Sequence, residues 1–436
     1  MTEALACGAP LDRRAALRLG VFAGLGAISL PRLAFAADQP AAWPRLTELV
    51  ERWVGPGRFP GMVVALGLAG RDPEFIARGA DSFTDLDPQG PDSLYRIYSM
   101  TKPITGMATM MLIDEAKLRL DQPIAEILPR FAHMRVQTTY DGPITDVEAA
   151  LRPITIRHLI THTSGLGYSI VQTGPIKTAY EAAGLVPGQI SRTPVAGLDR
   201  GKAIGSLEAF ADGLAEMPLV YQPGSKWSYS VGLDLMGRVI EVVSGQPFDR
   251  FLQERLFDPL GMTSTFFQVP AKDAARLTTN FGAFGQALAP IDPGDGSIYL
   301  DKPPFPFGGA GLVSSPRDYD RFLHMLANYG QLGGRRVMSE AAVRLGTSNL
   351  LPAGVAGPVF TGAPGGFGAG GRVGLGAEEG IFGWAGAAGT VGTVDMRRGL
   401  RAGIYVQFMP PQANTLLAEY QKALQADLVA LMEKHA

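Results

Sequence analysis

Strand-like stretches lie at the two ends of this chain, with helical patterning between them, and that separation limits its architecture more than any other feature. Gly61–Gly70 is a short apolar run with β-branched residues, and Glu74–Gly79 follows the turn Arg71-Asp72-Pro73. Two strands joined by a tight turn are expected there. Strand character returns only in Gly380–Thr393 and Gly399–Met409, around the turn Asp395–Arg398. From Asp121 to about Phe307 short helical runs alternate with Pro/Gly-rich connectors: Ile156–Thr161, Ser206–Met217, Leu233–Val243 and Phe248–Leu256. Arg45–Val54 and Thr415–Met432 are amphipathic helices at either end. The pattern predicts an α+β sheet domain assembled from both ends and interrupted by an α domain. With 436 residues, 46% of them hydrophobic, the chain has ample material for such a core.

The first 36 residues read as something other than fold. Arg13-Arg14 precedes the apolar stretch Leu19–Leu30, and Pro31–Ala36 ends in a small-x-small pattern. This is the pattern of a twin-arginine export signal cleaved after Ala36, which implies a periplasmic or secreted product. An apolar run of about 12 residues is short of the roughly 20 that a spanning helix needs, so no stable membrane anchor is expected. The only cysteine, Cys7, would leave with the signal, which removes disulfides, thiolate metal sites and a cysteine nucleophile from consideration. A net charge of −2 with both signs interspersed gives no nucleic-acid footprint.

Chemistry is concentrated around Ser99. No other serine has lysine three positions on, and the apolar run that follows, Met107 to Ile113, looks helical. Residues i and i+3 share a helix face, so the Ser99 hydroxyl and the Lys102 amine can touch. A serine needs a neighbouring base to become a nucleophile, and a lysine amine can serve. On the tetrapeptide alone a capped surface helix with a solvated lysine is the better reading, and the rest of the chain has to decide. Tyr229, on a turn just before a helix, is a candidate second proton carrier, or else a half-buried corner residue. The small-residue strand Phe382–Thr390 could bring a backbone N–H to an oxyanion, or else be a glycine-weakened edge with one packed tryptophan. There is no G-x-S-x-G. His158 and His162 lie four apart on one helical face, without a third metal ligand in view, and read as packing or capping residues. Gly366–Gly371 fits G-x-G-x-x-G by letter but lacks the flanking strand and helix; a flexible loop within Gly362–Gly380 is expected instead.

Taken in order, Tyr95–Lys102, Ile154–Leu166, Tyr229-Ser230-Val231, Gly308–Tyr319 and Trp384-Ala385-Gly386 resemble the serine β-lactamase and penicillin-binding-protein superfamily. The pattern is most similar to its class C-like branch, the family VIII carboxylesterases. The resemblance implies a β-lactamase/transpeptidase-like α+β fold, with an antiparallel sheet flanked by N- and C-terminal helices plus an all-α domain. It places the sheet domain at 37–102 and 308–436 and the mainly helical domain at 103–307. It also implies Ser99 as nucleophile, Lys102 and Tyr229 as the base and shuttle pair, and an oxyanion hole from the Ser99 and Ala387 N–H groups. Gly386 and Trp384 would shape the substrate pocket. No metal or organic cofactor is called for, and the partner expected is a small-molecule ester. Two departures matter. Val231 stands where class C β-lactamases have an asparagine that binds the substrate amide, and Trp384-Ala385-Gly386 replaces their Lys-Thr-Gly. Losing both polar handles favours uncharged esters, with acyl transfer to an alcohol as a second outcome. A β-lactamase or D-alanyl peptidase, an amidase for short linear amides, and a non-catalytic binding protein are the alternatives.

Overall fold

A computed structural model describes residues 43–198, 201–284, 287–359 and 364–433. The expected export segment lies outside the described residues. Seven strands form one antiparallel sheet: β1 (Gly61–Leu68), β2 (Glu74–Gly79), β3 (Gly366–Phe367), β4 (Arg372–Val373), β5 (Ile381–Ala385), β6 (Val391–Asp395) and β7 (Leu400–Tyr405). Their order is β3-β4-β5-β6-β7-β1-β2. The centre is therefore a pairing between the two ends of the chain, with Val63 opposite Tyr405 and Leu68 opposite Leu400. Every residue of β1 and of β7 is buried. Such strands need cover on both faces, which explains why β1 is a continuous apolar run without alternation.

Helices supply that cover. Helix α1 (Pro44–Trp53) packs on β1, on β2 and on the C-terminal helix, Leu416–Glu433. Proline suits the first turn of α1, because the missing N–H has no intrahelical partner there. Trp43 provides no side-chain cap. Asp427 of the C-terminal helix does so instead, accepting the N–H groups of Arg45 and Leu46, each at 3.0 Å. Pro316–Ala327 packs on β1, β6 and β7, where Asp320 pairs with the buried Arg401 at 2.8 Å.

Helix α2 (Thr101–Asp114) is the hub between sheet and helices. All its residues from Thr101 to Leu112 are buried. A helix apolar around most of its circumference belongs inside a protein. It packs on helix α3 (Gly232–Ser244), on Glu340–Gly346 and on β5. Leu207–Glu216 and Ile156–Ile160 complete the helical layer around α3.

Three sequence expectations need correction. The region between Asp121 and Phe307 also carries strands: Asn280–Phe284 and Ala287–Asp292 pair with each other, and Arg135–Gln137 with Val147–Ala149. These strands are short, and Pro290 and a register shift at Asn280/Phe281 hide their period. The segment Gly380–Thr393 is two strands, β5 and β6, turned at 386–390. The glycine run is in part a hairpin, β3–β4, rather than a flexible loop. It lies on α2 so closely that a Cβ at Gly370 would come within 2.2 Å of the Lys102 carbonyl oxygen. Glycine serves there because the backbone has a φ of +74° and no room for a side chain.

Candidate active site

Ser99 sits in a single 3₁₀ turn, Tyr98–Met100, that leads directly into α2. The residue before it, Tyr98, has a φ of +40°. For a bulky residue this is a strained conformation, held only when the surroundings impose it. The surroundings are built for that. Tyr98 is buried, its ring meets Tyr299 edge-on at 6.3 Å between centroids, and its hydroxyl accepts from Asn280 at 3.3 Å. Two residues earlier, the fully buried Arg96 donates to Asp292 at 2.6 Å and to its carbonyl at 3.0 Å. This ion pair pins the strand feeding the turn to the Asn280–Asp292 hairpin. The sharp backbone reversal leaves Ser99 only half-buried while its neighbours on both sides are buried.

Lys102 lies one turn on, fully buried. Its Nζ donates to Ser99 Oγ at 3.2 Å and to the Gly309 carbonyl at 2.7 Å. Above it is the ring of Tyr229, with Nζ 4.6 Å from the centroid, and Tyr168 is further off at 5.7 Å. Aromatic faces of this kind stabilise a desolvated cation. Ser99, Lys102 and Tyr229, which the sequence placed at separate points, are thus gathered at the start of α2 and the start of α3.

Tyr229 is held from two sides. Trp384, on β5, donates its indole N–H to the phenol oxygen at 3.0 Å. From the other side the His162 ring packs on it, 4.6 Å between centroids. His162 Nδ1 accepts the Ser230 N–H at 3.2 Å, and its carbonyl accepts the Ser228 N–H at 3.0 Å. Burial and the nearby Lys102 charge keep this imidazole well below its usual range, so it is neutral. His158 has a different task, completing a capping box with Thr155 at the start of Ile156–Ile160. No group of three or more metal-ligating side chains occurs among the described residues.

The end of β5 abuts the turn that carries Ser99. A Cβ on Gly386 would come within 2.5 Å of the Ile97 carbonyl oxygen, so only glycine lets this strand approach so closely. The Gly386 N–H is engaged by the Thr390 carbonyl at 2.7 Å. Among the described residues the N–H groups of Ser99 and Ala387 have no such partner. Val231, fully buried, occupies the N-cap of α3. Two contributors escaped the sequence reading: Gly309, whose carbonyl holds Lys102, and His162, whose ring backs Tyr229. The small-residue run Gly308–Gly311 was the available signal for the first. Nothing in sequence distinguishes the second from a packed histidine.

The chain is similar to several known proteins. Esterase EstB of Burkholderia gladioli is 29% identical over 335 residues, 73% of this chain and 78% of EstB. Lovastatin esterase of Penicillium rubens is 34% identical over 258 residues, 57% of this chain and 59% of that protein. Protein Rv1367c of Mycobacterium tuberculosis is 34% identical over 65% of this chain, a match spanning 66% of its own length. Among solved structures, EstCE1, described as a hydrolase with promiscuous acyltransferase activity, superposes with a TM-score of 0.70 at 25% identity. That match covers 88% of this chain and 98% of EstCE1. A penicillin-binding-protein homologue from Caulobacter crescentus, 20% identical with a TM-score of 0.64, shares the fold over 89% of this chain and 98% of its own. The β-lactamase family model matches residues 46–427, from α1 to the aspartate that caps it, and the chain belongs to that family.

Proposed function

We propose that this protein is a serine carboxylesterase working through an acyl-enzyme on Ser99. Ser99 Oγ attacks the ester carbonyl while its proton passes to the Lys102–Tyr229 pair, one member of which, the Lys102 amine or the Tyr229 phenolate, must be unprotonated to receive it. The tetrahedral oxyanion is received by the Ser99 and Ala387 N–H groups. As the C–O bond to the alcohol breaks, the pair returns the proton to the leaving oxygen. Water then repeats the sequence in reverse and frees the acid. An alcohol in place of water gives acyl transfer.

The observation that carries this reading over β-lactam hydrolysis is the Trp384–Tyr229 hydrogen bond. The strand position from which a lysine would meet a substrate carboxylate holds an indole whose single donor is already spent. Val231 likewise offers an apolar side chain where an amide would be needed. The surrounding packing is aromatic: Tyr168, Trp227 and Phe367 lie around Tyr229 and Trp384. Such a site suits short, uncharged acyl groups. The esterase names among the relatives point the same way.

The test uses the chain from Ala37 onward, assayed beside Ser99→Ala on a nitrophenyl ester series and a chromogenic cephalosporin. Expected is ester turnover that Ser99→Ala reduces by at least roughly 10³-fold, with little cephalosporin opening. Efficient cephalosporin opening would make this a β-lactamase with an unusual carboxylate site. Ester turnover surviving in Ser99→Ala would refute the nucleophile.

A further inference from the structure

Behind Lys102 lies a buried carboxylate to which the mechanism above gives no role. Asp234, on the first turn of α3, has no exposed surface. Its Oδ1 accepts the Gly309 N–H at 2.7 Å. The carbonyl of the same Gly309 accepts a hydrogen bond from Lys102 Nζ at 2.7 Å. One residue therefore connects the two charges, its carbonyl turned to the lysine and its N–H to the aspartate. The fit is tight, since a Cβ on Gly309 would come within 2.5 Å of Asp234 Oδ2. That second oxygen is buried and has no hydrogen-bond partner among the described residues. A polar atom left in this state costs stability, so the arrangement calls for a compensating use.

We propose that Asp234 is a positioning residue for Lys102: acting through Gly309, it fixes Nζ against Ser99 and supplies the negative charge that stabilises the ammonium formed when Lys102 takes the serine proton. The inference rests on the reading of Ser99 and Lys102 as the reacting pair. Lys102 needs such a counter-charge because an unpaired buried cation is strongly disfavoured, and its direct partners, Ser99 Oγ and a carbonyl, are neutral.

The elements around Asp234 leave Lys102 as the charge that acts on it. Helix α2 contributes Lys102 itself. Ile156–Ile160 turns Arg157 to Asp121 and His158 to its own cap. Leu207–Glu216 turns Glu208 to Arg238 of α3, which also meets Glu241. Phe248–Leu252 turns Arg250 to Glu254. Burial pushes the Asp234 carboxyl up to about 6, with the Lys102 charge drawing it back down. Protonation of Asp234 below that value would withdraw the counter-charge within an accessible pH range.

The experiment compares wild type and Asp234→Asn on a nitrophenyl ester from pH 5 to 8, with Ser99→Ala as background and thermal midpoints recorded. Asparagine keeps an acceptor for the Gly309 N–H and removes only the charge. Expected are a kcat at least roughly tenfold lower at pH 8, a KM within about twofold, and loss of the acidic limb seen near pH 6 in wild type. Wild-type kcat with the limb intact would overturn the proposal. So would a lower kcat with the limb retained, since that marks a packing role alone. If Asp234→Asn does not fold, labelling of wild-type Ser99 by a nitrophenyl phosphonate over the same pH range replaces it. A rate that falls below about pH 6 supports the proposal, and a flat rate overturns it. Absence of Ser99-dependent turnover in wild type would sink the esterase reading itself, a result distinct from either outcome for Asp234.

Discussion

A phenol that accepts an N–H from Trp384 does not direct its own proton at the indole, so the Tyr229 O–H is left for the reacting side of the site. The indole thereby acts on the reaction through Tyr229. Trp384→Phe keeps the ring packing against Tyr229 and Phe367 but deletes the hydrogen bond. A neutral hydrogen bond contributes about 0.5–1.5 kcal/mol, so kcat should fall roughly three- to tenfold with little change in melting temperature. Steady-state kinetics and a thermal melt on the same sample check both parts. An unaltered kcat would reduce Trp384 to a wall residue.

Among the elements, the short helix Ile156–Ile160 is sensitive to acid through its cap. Its capping box needs the Thr155 N–H to donate to His158 Nδ1, at 3.2 Å, and that acceptor exists only on neutral imidazole. Burial holds His158 down to about 4, against an ordinary value of 6.5. Between those values unfolding takes up a proton. The native advantage is thus complete above about pH 6.5 and is lost as the pH falls towards 4. His158→Asn retains a short acceptor for the cap without titrating. Its melting temperature should decline less steeply than that of the parent between pH 6.5 and 4, as scanning calorimetry in a buffer series would show. An equal slope would assign the acid sensitivity elsewhere. Buried carboxyls such as Asp81, raised to about 7, and Asp318, raised to about 6, contribute in the opposite direction. The comparison therefore has to be made between variants rather than read from one curve.

At the scale of the whole molecule, the capping of α1 by Asp427 ties the first helix of the fold to the last. Asp427→Ala strips two backbone N–H groups of their acceptor at once, and should cost about 1–2 kcal/mol in a urea titration. A smaller loss would mean that water replaces the carboxylate. The sheet-from-both-ends architecture was legible in sequence because β1, β2, β5 and β7 are long enough to show their apolar runs. Strands of two residues such as β3 and β4 have no period to read, and their glycines look like a loop until α2 is seen pressed against them. Ser99, Lys102 and Tyr229 could be singled out because their chemistry is unusual in combination. Gly309 and Asp234 could not, because their parts in the site depend on a meeting between residues far apart in sequence. The same holds for the strain at Tyr98, which no local pattern announces.

The pairing of Val63 with Tyr405 also sets a timetable. At a synthesis rate of roughly 5–20 residues per second, β1 leaves the ribosome tens of seconds before the strand that completes its edge. Through that interval an eight-residue apolar strand has only β2 beside it. The turn that carries Ser99 is synthesised well before Asn280, Asp292 and Tyr299, which hold it in shape. A nascent chain halted anywhere before β7 would thus leave β1 without its long partner and present a sticky strand to its neighbours. Activity and protection from aggregation should arrive together, within the last few dozen residues.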